Sequence, residues 1–138
     1  MRDLLRGALA GAVATAAMSV PMVASERCGG MPGQPPRRIV DHLAPALDDP
    51  AAHRAAVVVH LAIGVVAGAV LAGLPGPRGP APRLGVAYAL AVWALGYEGW
   101  IPALGALPPA HRDRGGRVAT MLTAHVVFGL VLGGLARR

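Results

Sequence analysis

The chain has no lysine, a single cysteine (Cys28), and few acids, with 7 Asp and Glu against 13 basic residues in 138. One cysteine excludes an internal disulfide framework. Charged residues make up 14% of the chain, whereas soluble domains carry about 25%. Because a small domain leaves much of its surface exposed, this shortage of charge argues against a soluble protein.

The basic excess consists of arginine and gives a pI near 11.3. In a soluble protein such a balance would favour nucleic acid. These arginines instead lie between and beside long apolar runs, as is typical of membrane-interface anchors and topology determinants. The sequence therefore favours the lipid bilayer as partner, and not nucleic acid.

Four apolar runs are long enough to cross a membrane, since about 20 largely apolar residues span the hydrocarbon. The expected spans cover about residues 5–24, 55–74, 84–107 and 118–136, and the mean hydropathy of the chain is +0.52. The pattern predicts an all-α protein with one transmembrane domain, residues 1–138, folded as a four-helix bundle.

The first run allows a second interpretation. Arg2 and Arg6 precede a small apolar segment, which would suit a secretory signal cleaved near Ala24 or Ser25. The run is longer than a usual signal core, which favours a span. Cleavage would leave three helices.

The connections are short and rich in proline and glycine. In the longest, residues 25–54, the stretch 28–36 is expected to form turns, and residues 37–43 suit a short helix at the interface, with a solvated loop as the alternative. Residues 75–83 and 108–117 are expected to form the other two loops.

With four spans, both termini lie on one side of the membrane, here named side A, opposite side B. Side A has six arginines and side B seven, so the positive-inside rule does not determine which side faces the cytoplasm. Side A has shorter segments and one acid, which favours termini in the cytoplasm.

The second and fourth runs share the pattern H-x-x-x-G-x-x-x-G, from His60 to Gly68 and from His125 to Gly133. Each follows a loop with a double proline and arginine. The pattern indicates a duplicated helix–loop–helix unit with parallel copies. Coincidence between glycine-rich membrane helices is the alternative.

Glycines four residues apart share one helix face and form a groove for close helix packing. The expected packing glycines are Gly7, Gly11, Gly64, Gly68, Gly129 and Gly133.

Polar side chains recur at one depth in all four runs. At 1.5 Å per residue, Ser19, His60, Glu98 and His125 lie roughly 8–14 Å below side B. Intramembrane ionisable groups usually face a partner or water, so these four residues are candidates for one ion, proton or cofactor site. Alternatively, each histidine donates to a nearby carbonyl.

Glu98 has its own alternative, an ion pair with Arg54 or Arg117 near the interface. Trp93, Tyr97 and Trp100 form one stripe, which favours packing or an aromatic belt over cofactor stacking. The sequence contains no catalytic or metal-binding motif, which argues against an enzyme. Two histidines and one glutamate are too few ligands to predict a metal site.

The order of segments supports a resemblance. Thr15 and Met18-Ser19 are followed by Met-Pro-Gly-Gln-Pro-Pro-Arg-Arg-Ile (31–39), then by the two histidine motifs on either side of residues 102–109. This order resembles small bacterial membrane proteins of unknown function and, more distantly, YagU-like inner-membrane proteins. The resemblance implies an inner-membrane location and a link to acid tolerance, but no active-site residue.

Three functional hypotheses follow. A layer of His60, Glu98 and His125 would handle protons or a small cation, or sense pH. The two histidines would alternatively be axial ligands of a haem or pigment. In the third hypothesis, the glycine faces dock on other membrane subunits or a second copy, as in an accessory subunit.

Overall fold

A computed structural model describes residues 1–74 and 81–136, and every regular element in this part of the chain is a helix. The elements in chain order are α1 (Arg2–Arg27), α2 (Pro35–Leu43), α3 (Asp49–Gly73), α4 (Pro82–Ala94), a π-helical segment (Leu95–Trp100), α5 (Ile101–Ala103), a 3-10 turn (Ala110–Arg112) and α6 (Gly115–Leu135).

Four stretches in this part of the chain are long and apolar enough to cross a membrane. They are α1, α3, the continuous stretch Pro82–Ala103, which we name the third span, and α6. The expected all-α fold with four spans is thereby confirmed. Most of the expected loop 75–83 lies outside the described residues, as do Arg78, Arg137 and Arg138, which entered the comparison of the two sides.

The helices differ from the apolar runs at their ends. α3 begins at Asp49, well before the apolar run, because the Asp48 carboxylate caps it by accepting from the Ala51 backbone N–H at 2.8 Å. The third span ends at Ala103 and not at Leu107, since Gly105 adopts a φ of 78° that a helix does not contain.

α2 confirms the short helix expected in the first loop, but it begins earlier than expected. The sequence placed Pro35 and Pro36 in a turn, and the structure makes them the first residues of α2. Proline is tolerated there because the first N–H groups of a helix have no intrahelical partner.

α2 is attached to the bundle by its apolar side and by one arginine. Ile39 and Val40 are buried. The Arg37 guanidinium lies 2.7 Å from carboxylate oxygens of both Asp41 and Asp49, so it joins α2 to the start of α3.

The spanning helices form two pairs, α1 with α3 and α4 with α6. The two pairs are joined because α1 also packs against α6. In the first pair, a Cβ on Gly11 would overlap the Gly64 carbonyl, and Gly7 similarly faces Gly68. The backbones therefore approach as closely as glycine permits.

The second pair repeats this arrangement with different partners. Gly129 lies against the backbone of Gly85 and Val86, and Gly133 lies against Ala81 and Pro82. All six glycines expected from the sequence to pack helices thus lie at the α1–α3 or α4–α6 contact.

α3 and α4 are not paired in this way, although the Tyr88 hydroxyl donates to the Ala67 carbonyl at 2.9 Å. The gap between α3 and the third span contains the cavity described next.

Candidate functional site: a histidine-lined cavity

A cavity of about 150 Å³ lies between α3 and the third span, and every membrane-spanning helix contributes to its wall. α1 and α6 supply the inner wall, and α2 covers one end. Representative lining residues are Thr15, Ile39, His60, Trp93, His125 and Phe128. Most of the lining surface is apolar, so the few polar atoms in it determine which ligands fit.

Two of the lining side chains carry a buried polar atom that has no hydrogen-bond partner in the described residues. These atoms are Nε2 of His60 and Nε1 of Trp93. A tryptophan N–H can only donate, whereas an imidazole nitrogen can donate or accept. A buried polar group without a partner costs about 1–3 kcal/mol, so the wall of the cavity contains two polar atoms that a hydrogen-bond partner would stabilise.

His125 has a defined orientation. Its Nδ1 lies 2.8 Å from the Met121 carbonyl oxygen. Because a carbonyl only accepts, Nδ1 carries the hydrogen and donates it. In the neutral ring, Nε2 is then left with a free lone pair. His60 and His125 both line the cavity, so the structure brings these two candidates together.

Glu98 does not join them. Its Oε1 accepts from the His111 backbone N–H at 3.1 Å, and its Oε2 lies 2.9 Å from the His111 Nδ1, on the exposed surface. Glu98 lies in the π-helical segment, where the wider turn changes the direction that side chains face from that of an α-helix. It pairs with neither Arg54 nor Arg117 among the described contacts.

Ser19 is also held away from the cavity. Its hydroxyl donates to the Thr15 carbonyl at 2.8 Å, as serine often does in membrane helices. Thr15 itself lines the cavity, but its hydroxyl donates to the Gly11 carbonyl at 2.8 Å. Of the four polar residues expected at one depth, only the two histidines line the cavity.

The aromatic stripe lines the cavity as well. Trp93 and Tyr97 stack edge to face with ring centroids 5.9 Å apart, and Trp100 lines the outer part. The sequence indicated a stripe but treated Trp93 as a packing or belt residue. Its unpaired N–H makes it a candidate binding residue.

Sequence reasoning missed a second polar cluster, which lies next to the aromatic stripe on side B. Arg117 Nη1 lies 2.8 Å from both oxygens of Asp113, and its Nη2 donates to the Pro32 carbonyl at 3.2 Å. The Tyr97 hydroxyl donates to Asp113 at 2.5 Å. The i, i+4 spacing of Asp113 and Arg117 was visible in the sequence and is a signal for such a pair.

Burial raises the pKa of Asp113, but hydrogen bonds from Tyr97, Arg114 and Arg117 outweigh it and leave this pKa below its ordinary value. Both side chains of the ion pair are 3% exposed. The pair therefore fixes the start of α6 to the third span and to the loop after α1.

The described residues contain no group of three or more His, Cys, Asp or Glu side chains that could hold a metal ion. The arrangement instead places two imidazoles and an indole in the wall of an apolar cavity.

Four apolar helices around such a cavity define a multi-pass, all-helical membrane protein with a histidine-lined internal cavity. The chain belongs to a family of unknown function (DUF6789), whose family model matches residues 1–138. A comparison with curated proteins found no match, and a comparison with solved structures found none. Membership in a family of unknown function agrees with that part of the resemblance, while bacterial origin and the likeness to YagU-like proteins stay predictions.

Proposed function

We propose that the chain binds the ring-sized, oxygen-bearing head of a lipid-soluble molecule in the cavity between α3 and the third span. The observation that carries the proposal is the pair of unpartnered buried atoms, His60 Nε2 and Trp93 Nε1, on two side chains that line one apolar cavity. The indole would donate to the ligand oxygen, and the imidazole would supply a second polar contact.

The size of the cavity supports a small ligand. An apolar cavity of about 150 Å³ accepts benzene, and this cavity has a similar volume. Drug-sized ligands occupy pockets of about 300–1,000 Å³. A haem held by His60 and His125 would need more space than the structure provides.

The outer wall of the cavity supports entry from the bilayer. Val59, Ile63 and Trp100 line the cavity and are also 40–45% exposed on the surface of the bundle. A lipid-soluble molecule could therefore enter sideways between α3 and the third span, with any tail remaining among the acyl chains.

The test uses two probes of similar size, acetophenone with a carbonyl acceptor and ethylbenzene without one. The chain has two tryptophans, so indole N–H signals in a ¹⁵N–¹H NMR spectrum of the protein in detergent report on Trp93 directly. We expect acetophenone to shift the Trp93 signal saturably and ethylbenzene to bind at least tenfold more weakly.

Trp93→Phe should weaken acetophenone binding to the level of ethylbenzene, because it removes the donor and keeps a ring. Trp100→Phe is the comparison variant. It also keeps a ring but changes the indole at the outer part of the cavity, and it should weaken acetophenone binding less than Trp93→Phe does. Equal affinity for both probes would reject the proposed hydrogen bond to the ligand oxygen. The absence of any saturable shift would reject ligand binding in favour of a cavity that holds only water.

A second candidate is proton handling or pH sensing by His60 and His125. It is supported by their shared cavity, since imidazole is the side chain that titrates near neutral pH. The exposed position of Glu98 removes the acid from the expected layer. Loss of a pH-dependent phenotype in His60→Ala and in His125→Ala would support this candidate, and an unchanged phenotype in both would reject it.

The accessory-subunit hypothesis has lost its main support, because the six glycine positions already contact helices of the same chain.

We also propose a duplicated helix–loop–helix unit. Its support is that Gly64 faces Gly11 while Gly129 faces Gly85. We also propose, from the resemblance and from the shorter, less acidic segments of side A, that the protein lies in the bacterial inner membrane with both termini in the cytoplasm.

A further inference from the structure

A second pocket of about 450 Å³ lies at the surface on side B, apart from the histidine-lined cavity. Four arginines and one aspartate line it. Arg38 comes from α2, Arg112 from the 3-10 turn, and Arg114 and Arg117 from the start of α6, where Asp113 also lies. Residues from three separate elements thus converge on one strongly basic pocket.

The only carboxylate of this pocket is already engaged. Asp113 accepts from both Arg117 and Tyr97. Arg38, Arg112 and Arg114 are exposed, and no ion pair joins any of them to a carboxylate in residues 1–74 and 81–136. The pocket therefore has a positive charge that the described part of the chain does not neutralise.

A buried donor in this pocket also lacks a partner. Arg117 is 3% exposed, and its Nε has no hydrogen-bond partner within the described part of the chain, although Nη1 and Nη2 are both bonded. The guanidinium has five N–H donors in all. An unpaired buried donor is unfavourable, so the guanidinium of this lining arginine has one donor that is not used by the described residues.

The N-terminal end of α6 adds to the positive charge of the pocket. The residue before the helix, Arg114, makes no side-chain cap, and the N-terminal end of a helix carries partial positive charge that attracts anions. Arginine forks match the oxygens of phosphate groups in paired hydrogen bonds. A pocket at the end of membrane spans also lies at the level of lipid headgroups.

We propose that this pocket, formed by Arg38, Arg112, Arg114 and Arg117, binds a phosphate group, either of a lipid headgroup or of a free phosphate. The site is separate from the proposed function of the cavity and does not depend on it.

Binding is measured on the full chain in detergent, in two arms. Inorganic phosphate is compared with chloride at equal ionic strength by the shift in thermal unfolding. Phosphatidic acid is compared with diacylglycerol of the same acyl chains by native mass spectrometry. Binding of phosphatidic acid alone identifies a lipid headgroup as the source, and stabilisation by inorganic phosphate as well shows that the free anion suffices.

The decisive variant replaces the three exposed arginines, Arg38, Arg112 and Arg114, with glutamine. It keeps Arg117, whose loss would leave Asp113 without its cation. A matched control replaces three exposed arginines outside the pocket, Arg27→Gln, Arg54→Gln and Arg83→Gln, and so removes the same charge.

We expect the pocket variant to bind phosphate or phosphatidic acid at least tenfold more weakly, and the control to stay within about twofold of the wild type. Equal weakening in both variants would show a general charge effect and overturn the proposal. So would a wild-type protein that prefers neither phosphate over chloride nor phosphatidic acid over diacylglycerol.

Discussion

The Tyr97 hydroxyl donates to the Asp113 carboxylate at 2.5 Å and so joins the π-helical segment to the loop before α6. Tyr97 is buried, and the Asp113 side chain is 3% exposed. This contact links the histidine-lined cavity, which Tyr97 also lines, to the arginine pocket, which Asp113 lines.

Tyr97→Phe should lower the free energy of unfolding by about 1–3 kcal/mol, because it removes a hydrogen bond to a charged group and adds no volume. Chemical denaturation in detergent measures the change. Tyr88→Phe is the control for loss of a hydroxyl, since Tyr88 bonds a neutral carbonyl and should lose less. An equal loss in both variants would contradict a charge-assisted bond at Tyr97.

The stability difference between wild type and Tyr97→Phe should depend on pH. The pKa of Asp113 lies below its ordinary value of 3.8 in the folded protein, so its contribution is fully present above 3.8. It is lost as the pH falls through the lowered pKa. We therefore expect a smaller difference at about pH 3 than at about pH 6, and a constant difference would count against this linkage.

Asp113→Asn should be much more disruptive than a change in an exposed ion pair. It leaves the buried Arg117 guanidinium without a carboxylate, for which a loss of about 3–5 kcal/mol is typical. Asp41→Asn, which affects the exposed pair with Arg37, is the control and should change the melting temperature little. Similar melting temperatures for the two variants would show that the Arg117–Asp113 pair contributes little.

Gly64→Ala should separate α1 from α3, because the new Cβ would overlap the Thr15 hydroxyl. Overpacking of this kind typically costs about 1–3 kcal/mol. Gly134→Ala is the matched control, since a Cβ there has open space around it. Thermal unfolding followed by circular dichroism should rank Gly64→Ala well below both the wild type and the control, and equal stability would refute the close contact.

Cys28 provides a test of topology. It is the only cysteine of the chain, it is exposed, and it lies just after α1 on side B. With cytoplasmic termini, a membrane-impermeant maleimide should label it in intact cells whose outer membrane has been permeabilised. Labelling only after lysis would place side B in the cytoplasm, and Cys28→Ser should abolish the signal in either case.

The features that depend on local pattern could be predicted from the sequence. Bilayer thickness sets the length of a span, so four long apolar runs were enough to predict four helices. The four-residue period placed the glycines of each helix on one face, and those faces contact neighbouring helices in the structure. The same period and depth put His60 and His125 where the structure has them, on one cavity.

Other features were decided by the tertiary structure. The π-helical segment turned Glu98 towards His111, and regular α-helical spacing could not anticipate that change. The arginine pocket depends on α2, the 3-10 turn and the start of α6 meeting on side B. Local sequence sets the depth and face of a side chain, but its partners depend on which distant helices become neighbours.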